Sequence, residues 1–181
     1  MKIFFIYFIL YYFGFSSDYI VINNSTIQFT GSHVFHDWIG VSSKLESKVS
    51  CNEKNTNCSF KFSIPWESFN SGNDNRDNNM LYYVNAFDYP NIIMKFENID
   101  LKKLNENGNL ITGILTINGI SESLSIPLEY KINNKKFKIY SSFNISLEKF
   151  NIERPSLLLI PIENLIFINV NITGNFKNAE S

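Results

Sequence analysis

The sequence predicts an all-β protein, an antiparallel β-barrel of about eight strands with one short helical insert, and three observations carry that expectation. Apolar and polar residues alternate over long stretches, the period of a strand with one buried face. Turn pairs separate those stretches: Asn107-Gly108, Asn118-Gly119 and Asn133-Asn134. A single segment, Ser71 to Asp88, abandons the period of two for spacings of three and four. Strands of about ten residues with few prolines favour closure, because an open sheet leaves long edges unpaired.

Taken in order, the alternation sets strands at 20–30, 33–36, 39–50, 58–66, 91–99, 109–118, 122–132, 137–147 and 164–175, the first two forming one bent strand. Ile27 and Phe29 share one parity; Phe60, Phe62, Ile64 and Trp66 share another. Leu124, Ile126, Leu128, Tyr130 and Ile132 continue the pattern, as do Phe143 and Ile145, and Ile166, Ile168, Val170 and Ile172 close the chain. Between the fourth and fifth of these parities, Asp74 or Asn75 is placed to cap a helix carrying Met80, Leu81, Val84 and Phe87 on one side. Gly113 fits a strand position where another backbone comes close.

The N-terminus reads as an export signal. Lys2 precedes an apolar run from Ile3 to Phe13, which falls short of the ~20 residues of a transmembrane helix. Gly14 and Ser16 give the small-x-small cleavage pattern, so residues 1–16 are expected to be removed and 17–181 to form one domain, periplasmic or extracellular. No Cys follows the run to accept a lipid anchor. Export makes a disulfide admissible, and Cys51 and Cys58 flank a polar run that reads as a hairpin tip.

Charge excludes more than it implies. With 16 Lys and Arg against 17 Asp and Glu, nothing draws the chain to phosphates, and nucleic-acid binding is not expected. A homodimer is left open. Both histidines lie in GSHVFHDWIG, His33 and His36, and on a strand residues three apart face opposite ways, so the pair does not make a metal site. No Cys is spare for zinc, and no nucleophile–base pair or acid cluster marks a catalytic site. The modest role for these histidines puts one imidazole inside, on a ligand's polar head or a buried water, and the other in solvent. Arg76 reads as a helix-start tie to Asp77 or Asp88, or as a guanidinium that meets a ligand's carbonyl or carboxylate. The inward parities, in a chain with 17 Phe and 9 Tyr, fit equally a filled core and an apolar tunnel.

Several blocks resemble the YceI-like family of exported lipid-binding proteins. Ser25-Thr26-Ile27-Gln28-Phe29 is similar to its opening S-x-I-x-F strand, and His33 or His36 followed by Gly40 to its H…G step. Arg76-Asp77, Met80 and Asp88-Tyr89-Pro90 resemble its R-D-x-x-L…(F/Y)-P block, Gly113 to Ile120 its G-x-L-T-I-x-G-(V/I) block, and Ser146 to Ile152 the segment ending F-G-I. The likeness runs from Ile22 to Phe176; Asn23 and Asn151 replace the usual Asp and Gly, and the cysteine pair is not a general family feature.

That resemblance implies an extended lipocalin-like barrel around a long apolar ligand, a polyisoprenoid chain such as an isoprenoid quinone, with no classical cofactor. Inward parity then assigns the ligand wall to His33, Phe35, Phe60, Phe62, Ile64, Ile92, Met94, Phe96, Phe143 and Ile145, with Arg76, Met80 and Leu81 from the helical insert. The alternatives are a secreted stress-response or interaction module with a filled barrel, and an enzyme acting on a lipid within the barrel.

Overall fold

Alternating apolar side chains need cover on one face, and here the sheet supplies it by curling around them. The computed structural model describes residues 20–176 apart from 53, 55, 107 and 135; the expected signal peptide lies outside the described residues. Eleven strands form: β1 Ile20–His33, β2 His36–Ser42, β3 Glu46–Cys51, β4 Asn57–Pro65, β5 Asn91–Asp100, β6 Asn109–Ile117, β7 Ile120–Asn133, β8 Lys136–Ser146, β9 Ser156–Leu157, β10 Ile160–Pro161 and β11 Leu165–Phe176. Nine make one antiparallel sheet in the order β2-β1-β11-β8-β7-β6-β5-β4-β3, and β9 and β10 form a separate small hairpin.

The register places apolar side chains opposite one another on the concave face. Phe143 pairs with Ile168 and Ile145 with Ile166 between β8 and β11, while Phe60, Phe62 and Ile64 of β4 meet Phe96, Met94 and Ile92 of β5. Each such cross-strand pair adds about 0.2–1 kcal/mol over small residues. At the rim where β4, β6 and β8 end, Trp66, Phe69, Val84, Ile117, Leu147, Phe150 and Ile152 pack into a buried plug. Turn chemistry sets the register locally: Asn118 and Gly119, both left-handed at φ 49° and 72°, join β6 to β7 in a two-residue turn. Gly113 lets β6 cross β5 closely, since a Cβ there would stand 2.5 Å from the Lys95 carbonyl oxygen.

The sheet is not the closed eight-stranded barrel that the alternation suggests. It is an open half-barrel of nine strands whose edges are β2 and β3. The run read as one strand over 39–50 is two, because the Ser42 hydroxyl accepts the Lys44 N–H at 3.1 Å and turns the chain out of β2. Strands adjacent in sequence thus start opposite edges. The segment after β4 reaches the β2 edge: Asn70 bridges to Val41, and the Ser42 and Ser68 hydroxyls meet at 2.7 Å.

Three smaller expectations also change. The segment 33–36 is no continuation of a bent first strand but a hairpin turn, with His33 paired to His36 across Val34 and Phe35. Phe35 therefore sits at the tip and is exposed rather than inside. The insert is a helix, α1, over Asp74–Tyr83, but Asn73 caps it, its side chain accepting the Arg76 N–H at 3.0 Å. The disulfide between Cys51 and Cys58, by contrast, is as expected, closing the β3–β4 tip where the two face one another in the ladder.

Candidate functional site

The concave face holds a half-open cavity of about 660 Å³, within the ~300–1,000 Å³ of small-molecule sites. All nine strands of the main sheet contribute to its wall, and α1 contributes Arg76, Asp77, Asn79, Met80 and Tyr83. Of the residues assigned to the wall from the sequence, the cavity brings together His33, Phe60, Phe62, Ile64, Arg76, Met80, Ile92, Met94, Phe96, Phe143 and Ile145. Two stand elsewhere. Phe35 is in the hairpin turn, and Leu81 faces a smaller, polar recess beneath α1 with Glu67, Asp74 and Asp77.

Sequence parity missed part of the wall that it could have supplied. Ile126, Leu128 and Tyr130 of β7 and Ile166, Ile168 and Val170 of β11 line the cavity with the same alternation that picked out Phe143 and Ile145. Trp66 continues the parity of Phe60, Phe62 and Ile64 into the rim. Trp38 carried no such signal, since its position depends on the turn at Val34 and Phe35.

Few polar groups interrupt this wall, and several are already engaged. The Tyr130 hydroxyl donates to the Leu104 carbonyl at 3.1 Å and the Ser141 hydroxyl to the Pro127 carbonyl at 2.5 Å. His33, 6% exposed, lies 3.0 Å through Nε2 from the Ile160 carbonyl, while Nδ1 accepts the Phe35 N–H at 3.5 Å. A carbonyl can only accept, so these contacts fix the tautomer with the proton on Nε2. His36 is exposed, its ring 6.3 Å from that of His33 on the same side of the hairpin. Among the described residues no group of three or more His, Cys, Asp or Glu is placed to hold a metal.

At the helix end of the cavity the chemistry differs. Arg76 donates from Nε to the Ser71 hydroxyl at 2.9 Å and from a terminal nitrogen to the Ser71 carbonyl at 2.8 Å. Asp77 accepts the Ser71 N–H at 3.0 Å, so the arginine and its neighbour grip one residue rather than each other. Trp66 is 7% exposed, and its Nε1–H is the one buried side-chain polar atom among the described residues that lacks a partner. An unmet buried donor costs about 1–3 kcal/mol. An apolar wall with the Arg76 guanidinium at one end suits a long apolar body that carries an acceptor.

Comparison with known proteins agrees with this geometry. The family profile of the YceI-like domain matches residues 19–175. That family is a non-catalytic, lipocalin-like binding family. No curated protein sequence gives a significant match. Among solved structures, BcnA of Burkholderia cenocepacia superposes with a TM-score of 0.70 at 18% identity, covering 82% of this chain and 95% of its own. A polyisoprenoid binding domain from Saccharophagus degradans, implicated in plant cell wall breakdown, gives 0.72 at 13% identity, covering 88% and 99%. The YceI protein of Campylobacter jejuni gives 0.60 at 21% identity, covering 77% and 85%.

Proposed function

The chain belongs to the YceI-like family, and on that premise we propose that it is an exported carrier or scavenger of a long-chain apolar lipid, a polyisoprenoid such as an isoprenoid quinone, held along the concave face of the half-barrel. The observation that supports this reading is the cavity, about 660 Å³ and walled by aliphatic and aromatic side chains from every strand of the main sheet. Such a wall favours a hydrocarbon by ~0.8 kcal/mol for each CH₂ removed from water, without polar contacts to orient it. A cavity of this size supports that reading over a filled barrel. The similar fold of the Saccharophagus polyisoprenoid binding domain points to the same ligand class.

The polar end of the lipid lies at the helix rim in this proposal, where the Arg76 guanidinium can donate to a carbonyl or carboxylate. The apolar N-terminal run supports export. Among the described residues no helix is long and apolar enough to cross a membrane. Native mass spectrometry of the protein recovered from its exporting host, followed by solvent extraction, tests the reading. A protein mass carrying one extractable polyprenyl or other long-chain lipid is expected; a ligand-free mass, with nothing extracted, contradicts it.

A further inference from the structure

Seven non-glycine residues among those described adopt a left-handed backbone, and five are asparagine: Asn85, Asn98, Asn118, Asn134 and Asn151. Asparagine tolerates that region because its short polar side chain bonds the local backbone. The other two are consecutive leucines, Leu158 at φ 53° and Leu159 at φ 67°, forming the two-residue turn between β9 and β10. Turns with positive φ at both central residues are the province of Asn-Gly and Gly-Gly. In a chain that uses Asn at every other such position, two leucines here oppose the backbone preference.

They also oppose the solvent. Leu158 is 75% and Leu159 97% exposed. Beside them stands the β1–β2 tip, with Val34 64% and Phe35 61% exposed. His33 joins the two hairpins through its hydrogen bond to the Ile160 carbonyl, and the Glu163 N–H donates to the Ser32 carbonyl at 2.8 Å. The base of the leucine hairpin is braced as well, by Arg154 bonded to the Ile162 carbonyl at 3.2 Å and paired with Glu148 at 3.4 Å. Two projecting apolar tips, joined at their bases, therefore share one end of the molecule. The cavity reaches them: Pro155, Ser156 and Leu157 at the hairpin base are part of its wall, with His33 and His36.

We propose that Leu158 and Leu159, with Val34 and Phe35, form a docking tip that inserts into the surface of a lipid bilayer and brings the cavity against the membrane from which its ligand is loaded. The choice of a bilayer rests on the lipid-carrier reading above and on the continuity of the tips with the cavity wall. Projecting tips, unlike a groove, present no concave surface to a protein partner. Residues 156–161 and 34–35 carry no charged side chain, so attachment is by apolar insertion and not by attraction to anionic headgroups.

The test is flotation with phosphatidylcholine vesicles, comparing the wild type with Leu158→Asn/Leu159→Gly, which restores the favoured turn while deleting both apolar side chains. Both proteins carry the same N-terminus, so a difference between them reports the hairpin. The wild type should float, and the double variant should partition about tenfold or more weakly, with a thermal midpoint no lower than wild type. The single variant Leu159→Asn, at the most exposed position of the turn, should show part of the same loss. Added phosphatidylglycerol or high salt should change wild-type binding little. A wild type that fails to float, a double variant that floats equally, or binding confined to anionic vesicles and abolished by salt overturns the proposal. Solvent extraction of the same preparations separates this from the cargo question: lipid present without flotation removes the docking tip alone, and flotation without lipid removes the carrier reading alone.

Discussion

A histidine three residues from another on a continuous strand points away from it, and in this chain that rule fails because Val34 and Phe35 are a turn. His33 and His36 become cross-strand neighbours on one side of a hairpin, and Phe35 leaves the interior. No Asn-Gly or comparable pair announces the turn, so period alone could not reveal it. The consequence is a structural task for His33, whose two ring nitrogens are both spent on backbone groups. His33→Ala should lower stability by about 1–3 kcal/mol, the cost of stranding a part-buried acceptor, as read from urea unfolding. Adding or chelating zinc should leave the wild-type midpoint unchanged; a stoichiometric metal shifting that midpoint contradicts this account of the pair.

Elements with strict alternation were legible from the sequence, and those set by local hydrogen bonds were not. β4 to β8 and β11 fall close to their expected spans, and their parities define most of the cavity wall. The helix was legible from spacing, but its cap was not: Asn73, Asp74 and Asn75 are all competent, and geometry chose Asn73. β9 and β10 are two residues each, too short for any period to register. At the β3–β4 tip, β3 is an edge strand paired only with β4, and it holds Ser47 and Val49 on the cavity wall. The Cys51–Cys58 bond closes a separation of seven residues, so Cys51→Ser/Cys58→Ser should cost ~2–3 kcal/mol. Hydrogen exchange should quicken first in β3, whereas a uniform change across the sheet would argue against the tip as its anchor.

For the whole molecule, the number of strands was nearly right and their closure was not, because closure turns on whether residues 43–45 continue a strand. A single hydroxyl-capped bend sends the chain from one sheet edge to the other, and the segment around Ser68 and Asn70 packs on the β2 edge. Whether the concave face surrounds ligand space or a filled core is a separate matter that alternation cannot distinguish, since both bury the same face. The central claim is that the cavity space is occupied by lipid methylenes and not merely tolerated. Ile92, on the cavity wall opposite Ile64, tests it through Ile92→Trp, with extracted lipid per mole of protein as the measurement and the thermal midpoint recorded beside it. The account predicts a folded variant with its midpoint near wild type and its lipid content sharply reduced, because the indole takes the space of the ligand. A variant destabilised by the ~1–3 kcal/mol of an overpacked core, with no lipid extracted from either protein, would contradict it.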